Sequence, residues 1–240
     1  MRRIVRLSLS EQQLQQPIFT FGAMGSGGVG KTSMIKSLTG INTMNDSREL
    51  VNNSSRKTGY VNLRIYYDRR TMKYVTNPDE VSGDMGLLRH YSLIDNPGQN
   101  EHMPTFLTGI YSIDCVLFVV QFSGGITSQT VEHLKCFKQL EHNNMNIVIT
   151  KIDQAPTEDA IELCARDFYC KMDEYGVEID GDTPIVPISN VNGINVDELV
   201  KCLIHDANMP RAINNVNNLF YMPIIRSFSV EKNATNNEQR

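Results

Sequence analysis

Apolar residues along this chain follow two alternating patterns. Runs of about four to eight apolar or alternating residues indicate strands, and segments in which apolar residues recur every three or four positions indicate helices. The predicted strands are 18–23, 59–66, 89–94, 114–121, 146–149 and 184–188, and the predicted helices are 31–40, 131–140, 158–175 and 196–205. Strands that alternate with helices predict an α/β fold, with a doubly wound, mostly parallel sheet and helices on both faces.

A glycine-rich loop joins the first predicted strand to the first predicted helix. Residues 25–32 read Gly-Ser-Gly-Gly-Val-Gly-Lys-Thr and fit the pattern G-x-x-x-x-G-K-[ST]. Because glycines leave the backbone N–H groups bare, these groups and the helix N-terminus can surround a polyphosphate. We expect Lys31 to meet the terminal phosphates and the Thr32 hydroxyl to bind Mg²⁺, whereas an ordinary glycine turn has no use for this pair. The predicted phosphate-binding residues are Gly27, Gly28, Val29, Gly30, Lys31, Thr32 and Ser33.

A D-x-x-G sequence follows the third predicted strand. Asp95 can hold Mg²⁺ through a water molecule, and the N–H of Gly98 can approach a γ-phosphate. Gln99 is placed to orient an attacking water, as the corresponding glutamine does in Ras-type proteins. Alone, this short pattern is more often an acidic turn. Together with the phosphate loop, it predicts Gln99 and Lys31 as catalytic residues and Asp95 and Thr32 as metal-holding residues.

A T-K-x-D sequence follows the fifth predicted strand and indicates guanine. The carboxylate of Asp153 can accept hydrogen bonds from the N1–H and the exocyclic amine of guanine, whereas adenine would present a lone pair at N1. Lys151 would lay its aliphatic stem along the base. The usual first residue of this motif is asparagine, and Thr150 lacks the amide. We therefore expect a loss of about 1 kcal/mol, the contribution of one hydrogen bond, in affinity or in loop bracing.

The sixth predicted strand leads into Ser189, Asn190 and Val191, where the backbone N–H of Asn190 can meet the guanine carbonyl oxygen. Each of the four motifs thus follows a predicted strand. In an open α/β sheet, ligands bind outside the carboxyl ends of the strands. The motifs in this order therefore predict a single site for GTP or GDP with Mg²⁺.

Composition excludes several classes of protein. The net charge of -4 disfavours a broad nucleic-acid surface, and no apolar stretch is long enough to span a bilayer. The chain does not begin with a signal-peptide core, so we expect a cytoplasmic protein without a membrane partner. Its five cysteines lack C-x-x-C spacing and are expected to be buried, reduced thiols. Its five histidines lack ligand spacing and are expected at surface or boundary positions.

Longer stretches around the motifs resemble the gamma subunit of eukaryotic and archaeal translation initiation factor 2. The resemblance extends over nearly the whole chain, and its clearest segments are 7–10, 40–43, 57–66, 89–98, 129–134, 184–189 and 222–230. It implies a P-loop GTPase fold. It also implies an N-terminal lead-in at 1–16, a GTP-binding domain at 17–207, and a linker with the start of a missing β-barrel domain at 208–240.

The same resemblance implies a function and partners. Members of this family bind initiator methionyl-tRNA in the GTP form, join alpha and beta subunits, and carry the tRNA to the small ribosomal subunit. Two further β-barrel domains shape the tRNA site and carry the alpha contact. The beta subunit is therefore the expected partner of a GTP-binding domain alone.

Some residues depart from the family pattern. The phosphate loop lacks the histidines usual in the family, and Gln99 stands where the family has a histidine. By register, Ser55 takes the place of the first-switch threonine that binds Mg²⁺, while Ser54 and Arg56 replace its isoleucine neighbours. No cysteine lies within 67–89, where the family often has a cysteine knuckle, so zinc is not expected.

Three functions are consistent with this sequence. The first is the GTPase domain of an initiation factor 2 gamma subunit. The second is a scaffold that holds guanine nucleotide for a beta-type subunit without useful hydrolysis, which the polar first switch favours. The third is a Ras-like regulatory GTPase outside translation.

Overall fold

A computed structural model describes residues 16–17, 19–43, 58–82, 85–98, 113–139, 144–176 and 183–206. Its strands form one sheet in the order β3-β2-β4-β1-β5-β6-β7. They are β1 (Thr20–Met24), β2 (Gly59–Asp68), β3 (Lys73–Val75), β4 (Gly86–Asp95), β5 (Cys115–Gln121), β6 (Met145–Thr150) and β7 (Ile185–Pro187). All six predicted strands are present, with ends that differ by a few residues.

The sheet is mostly parallel, as predicted. Strand β1 pairs in parallel with β4 on one side and with β5 on the other, and β6 and β7 continue in the same direction. Strand β2 runs antiparallel to both β4 and β3. The five parallel strands therefore end at one edge of the sheet.

The four predicted helices are confirmed. They are α1 (Lys31–Thr39), α2 (Ser128–Gln139), α3 (Glu158–Glu174) and α4 (Val196–Asp206). Helix α1 ends where Gly40 adopts a left-handed φ of 73° and its N–H bonds to the carbonyl of Lys36. Helix α3 begins after Thr157, whose side chain accepts a hydrogen bond from the N–H of Ala160.

Two local features differ from the prediction. The pattern did not predict β3, because three residues are too few to show alternation, and its pairing with β2 makes it visible only in the structure. The segment 78–80, to which the pattern assigned no element, forms one turn of 3₁₀-helix whose first residues are capped by the side chain of Asn77.

The core lies on both faces of the sheet. Side chains along β5 alternate: Cys115, Leu117 and Val119 pack on one face, and Val116, Phe118 and Val120 pack on the other. Helices α1 and α4 cover the first face, and α2 and α3 cover the second. This arrangement explains why β5 reads as a continuous apolar run.

The expectations for cysteine and histidine were partly wrong. The five cysteines are free thiols, and Cys115 is buried, but Cys170 is exposed on α3. His90 and His133, expected near the surface, are only 2% and 1% exposed because they face inward from β4 and α2. Among the described helices, none is long and apolar enough to cross a membrane.

A buried leucine and an exposed leucine provide a matched test of stability. Leu117 is 1% exposed in β5, whereas Leu163 is 64% exposed on α3. We expect Leu117→Ala to lower the free energy of unfolding by about 2–5 kcal/mol, because it removes buried contacts and leaves a cavity. Leu163→Ala should change it by less than about 0.5 kcal/mol. Urea unfolding measures both, and equal losses would contradict the described core.

Candidate functional site

The loops that carry the predicted motifs meet at one edge of the sheet. They follow β1, β4, β6 and β7, and β1, β4, β5, β6 and β7 are all parallel. The loop after β5 lies at the same edge. The described parts of the phosphate loop, the D-x-x-G segment, the T-K-x-D segment and the 189–191 segment therefore border one site.

The phosphate loop has a shape that only glycine tolerates at its first position. Gly25 has a φ of 141°, and a Cβ there would lie 2.2 Å from the carbonyl oxygen of Val119. The loop then passes into α1 at Lys31, so that the first-turn N–H groups of the helix open toward the loop. This is the arrangement that binds phosphate groups in proteins.

The ammonium group of Lys31 lies inside this loop. It donates hydrogen bonds to the carbonyl oxygens of Gly25 at 2.9 Å and Ser26 at 2.8 Å. Burial lowers the pKa of Lys31 to about 8, and the nearby charge of Asp95 opposes part of that shift. An ammonium has three donors, so a third donor remains for a phosphate oxygen.

The glycine of the D-x-x-G segment packs against this lysine. A Cβ on Gly98 would lie 2.3 Å from Nζ of Lys31 and 2.7 Å from the carbonyl oxygen of Gly25. Any larger residue would therefore push this segment away from the phosphate loop. The predicted catalytic Gln99 follows Gly98 directly and lies outside the described residues.

The predicted metal-holding residues Thr32 and Asp95 are in contact. The Thr32 hydroxyl donates to Oδ2 of Asp95 at 2.7 Å, and Asp95 is only 1% exposed. Within the part of the chain that the structure describes, Oδ1 of Asp95 is buried without a hydrogen-bond partner. An unpaired buried carboxylate oxygen beside a hydroxyl fits Mg²⁺, which prefers oxygen ligands. Ser55, the third predicted metal-holding residue, lies outside the described residues.

Sequence reasoning missed Thr43. Its hydroxyl donates to the same Oδ2 of Asp95, at 2.6 Å. Thr43 lies three residues beyond Gly40, the end of α1, in a stretch without periodicity. The sequence marked 40–43 only as a segment that resembles the family, and no signal indicated a contact between Thr43 and Asp95.

Thr150 braces the phosphate loop although it lacks an amide. Its hydroxyl lies within hydrogen-bond distance of the carbonyl oxygen of Val29, and 3.1 Å from that of Val120. The amide of Asn190 reaches the carbonyl oxygen of Gly30 at 3.5 Å. Thr150 therefore braces the phosphate loop through its hydroxyl, and the loss of about 1 kcal/mol expected from the missing amide stays a prediction.

Lys151 links the T-K-x-D segment to the phosphate loop. It adopts a left-handed φ of 60°, and its ammonium donates to the carbonyl oxygen of Gly28 at 2.9 Å. It also donates to Oε1 of Gln121, at 2.7 Å. Gln121 ends β5 and was missed, because that predicted strand carried no motif.

The carboxylate predicted to recognise guanine is exposed and oriented. Oδ1 of Asp153 accepts a hydrogen bond from the Ser189 hydroxyl at 2.6 Å. The Ser189 oxygen in turn lies 3.4 Å from the N–H of Asn192, which donates to it. The neighbouring Val191 is 87% exposed at the surface. The loops after β6 and β7 therefore hold the carboxylate between them.

Helix α2 contributes two residues that the motifs did not include. Oε1 of Gln129 accepts a hydrogen bond from the N–H of Gly27 at 3.3 Å. Burial lowers the pKa of His133 to about 4, and the positive charge of Lys31 adds to the shift. Gln129 and His133 are one helical turn apart on one face, so their spacing could have indicated a shared environment.

Comparisons with known proteins agree with this geometry. The model of the family described as "Elongation factor Tu GTP binding domain" matches residues 16–209. The chain is 29% identical over 232 residues to translation initiation factor 2 subunit gamma of Thermococcus onnurineus (strain NA1), which covers 95% of this chain and 55% of that protein. It is 26% identical over 235 residues to the eukaryotic counterpart from Encephalitozoon cuniculi (strain GB-M1), covering 92% and 52%. The chain thus spans about half the length of the curated relatives it matches.

Solved structures share the fold. A bacterial selenocysteine-specific elongation factor, EF-Sec, superposes with a TM-score of 0.62 at 23% identity, over 79% of this chain and 28% of that chain. Translation elongation factor SelB from Methanococcus maripaludis, in complex with the GTP analogue GppNHp, gives a TM-score of 0.57 at 22% identity, over 80% and 34%.

The family match spans most of the chain, and the predicted resemblance to initiation factor 2 gamma subunits is confirmed by the relatives found. The described residues form the expected P-loop fold, and the loops that carry the motifs lie at one edge of the sheet. The chain belongs to the elongation factor Tu GTP-binding domain family of GTPases.

Proposed function

We propose that this chain binds Mg²⁺ with GTP or GDP and hydrolyses GTP slowly, as the GTPase domain of an initiation factor 2 gamma subunit. The observation that carries the proposal is the direct contact between the predicted guanine loop and the phosphate loop. Lys151 bonds to Gly28, and the Thr150 hydroxyl meets Val29. A base and a polyphosphate bound at these loops would therefore belong to one nucleotide.

At the guanine end, Asp153 would accept hydrogen bonds from the base while Ser189 fixes its orientation. The backbone N–H of Asn190 would meet the guanine carbonyl oxygen. Lys151 is tied to Gly28 and Gln121 through its ammonium, so its aliphatic stem spans the space between the two loops.

At the phosphate end, Lys31 would direct its remaining donor at the terminal phosphates. The N–H groups of residues 27–33 would surround the other oxygens. Mg²⁺ would neutralise developing charge on the phosphates, and Thr32 and Asp95 are the described residues that would hold it. Gln99 would orient the attacking water. Without a partner, turnover in such sites is on the order of 10⁻⁴ to 10⁻² per second.

The relatives support our proposal for the biological role. Proteins named as translation initiation factor 2 gamma subunits match over nearly all of this chain. We therefore infer GTP-dependent delivery of initiator methionyl-tRNA to the small ribosomal subunit by the whole protein, in the cytoplasm, with alpha and beta subunits as partners. Beta is the partner expected for this domain.

Guanine specificity tests the base end of the site. We expect Asp153→Asn to weaken binding of fluorescent GDP by at least about 100-fold, because two hydrogen bonds to a charged acceptor are lost. The new amide should instead donate to the C2 carbonyl of xanthine and improve binding of xanthosine diphosphate. Titration of both nucleotides measures the change.

Asp159→Asn is the matched control for that test, because Asp159 is an exposed carboxylate in the first turn of α3, away from the loop contacts. It should leave both affinities unchanged. Wild-type protein that prefers ATP, or an Asp153→Asn variant with wild-type GDP affinity, would contradict the assignment of Asp153.

The lowered pKa of Lys31 predicts a pH dependence of binding. In the nucleotide-free protein this pKa is about 8, and phosphate charge must raise it in the complex. Binding above pH 8 therefore requires proton uptake, so the GDP association constant should be flat below that pH and fall by up to about tenfold per pH unit above it. Fluorescent GDP titrations between pH 6.5 and 9.5 measure the slope.

Lys31→Arg provides the comparison, since a guanidinium stays charged throughout this range. Its affinity should be lower, but its slope above pH 8 should vanish. A wild-type association constant that stays constant to pH 9.5, or the same slope in the arginine variant, would contradict a role for Lys31 in phosphate binding.

Hydrolysis separates the GTPase from a nucleotide-holding scaffold. In single-turnover experiments with saturating GTP and Mg²⁺, we expect slow cleavage that falls at least about tenfold in Gln99→Ala, while GTP affinity stays near wild type. No cleavage in either protein, with nucleotide binding intact, would favour the scaffold. Failure to co-purify with alpha or beta subunits would favour a regulatory GTPase outside translation.

A further inference from the structure

Two threonine hydroxyls from different segments converge on one buried carboxylate oxygen. Thr32, in the first turn of α1, donates to Oδ2 of Asp95 at 2.7 Å, and Thr43, beyond the end of α1, donates to the same atom at 2.6 Å. The second oxygen of that carboxylate, Oδ1, is buried and has no hydrogen-bond partner among the described residues. Two half-buried hydroxyls and one buried carboxylate thus place their oxygens in one small cluster.

This cluster has the chemistry of a cation site that is only partly satisfied. A buried carboxylate oxygen without a partner is unfavourable, because it has lost its hydration and gained no hydrogen bond in return. A hydroxyl that donates its proton to a carboxylate still has oxygen lone pairs, which can bind a cation. Magnesium uses few protein ligands and takes oxygen. Lys31 contributes positive charge nearby, but its hydrogen bonds go to loop carbonyls.

Thr43 packs closely against the start of β2. It lies over Gly59, the first residue of β2, which pairs with Asp95 in the sheet. A Cβ on Gly59 would lie 2.8 Å from Cβ of Thr43 and 3.5 Å from Cβ of Asp95. A glycine at the start of β2 therefore lets the threonine approach the carboxylate. The contact is built from three segments of the chain.

We propose that Thr43, in place of Ser55, supplies the second hydroxyl for the nucleotide's metal ion, beside Thr32. Asp95 accepts a hydrogen bond from each hydroxyl and so orients the lone pairs of both oxygens toward the metal. This inference rests on the proposed binding of Mg²⁺ with guanine nucleotide. It assigns the switch hydroxyl to the residue that contacts Asp95, whereas sequence register alone had assigned it to Ser55.

The test measures how Mg²⁺ slows the release of nucleotide. Wild-type chain and variants are loaded with a fluorescent, non-hydrolysable GTP analogue, and the dissociation rate is followed against free Mg²⁺ concentration. We expect Thr43→Val, which keeps the shape and removes the hydroxyl, to raise the half-effective Mg²⁺ concentration by at least about tenfold. The dissociation rate in EDTA should stay unchanged, and Thr43→Ser should restore the wild-type midpoint.

Three further variants separate the explanations. Thr71→Val is the matched control, because the Thr71 hydroxyl also donates to a carboxylate oxygen, Oδ2 of Asp68 at 2.7 Å, in the exposed turn between β2 and β3, and its midpoint should not move. Gly59→Ala keeps the Thr43 hydroxyl but displaces it, so the midpoint should rise as in Thr43→Val. This variant also serves if Thr43→Val unfolds, which thermal melting in EDTA detects. Ser55→Ala tests the alternative assignment, in which Ser55 supplies the hydroxyl.

The outcomes are distinct. A raised midpoint in Ser55→Ala with a wild-type midpoint in Thr43→Val would overturn the assignment. A lowered midpoint in Thr43→Val would also overturn it, since Thr43 would then compete with the metal for Asp95. If the wild-type chain binds no guanine nucleotide even in excess Mg²⁺, the proposed function fails, and this inference fails with it. Nucleotide binding that is retained and insensitive to Thr43 contradicts the inference alone.

Discussion

Parallel pairing of β1 with β4 on one side and β5 on the other is the constraint on which the site depends. It requires a central strand that is buried on both faces and that neighbouring side chains can approach closely. Gly22 meets this need, because a Cβ there would lie 2.0 Å from Cδ1 of Ile113. With β1 fixed between two strands of the same direction, the phosphate loop must open between Asp95 and Gln121. Residues distant in sequence are thereby brought to one edge.

The same constraint sets the electrostatics of the phosphate loop. Lys31 begins α1 directly beneath that edge, where burial lowers its pKa and loop carbonyls solvate its ammonium. The loop is thus held in shape by its own lysine before any phosphate arrives. A site held in this way loses less conformational freedom when a ligand binds. Gly98 completes the enclosure, since no side chain would fit between this segment and Lys31.

Periodicity and motif spacing were sufficient to predict every described strand except β3, the four described helices and the order of the loops, because each signal is local to a few residues. The contacts between loops were not predictable in this way. Thr43 reaches Asp95 only because β2 begins with Gly59 beside the end of β4, a pairing between residues far apart in sequence. Gln121 was missed for a related reason, since its partner Lys151 follows a different strand.

The base end and the phosphate end of this site are mechanically one unit. The replacement of an amide by Thr150 suggested a weaker link between them. In the structure, a Cβ on Gly30 would lie 3.5 Å from Nδ2 of Asn190 and 3.6 Å from Oγ1 of Thr150, so both side chains border the last turn of the phosphate loop. A hydroxyl and an amide from neighbouring loops thus contact adjacent carbonyls, those of Val29 and Gly30. The loops that would bind the base also donate hydrogen bonds to carbonyls of the phosphate loop. A displacement of one end of the site must therefore displace the other.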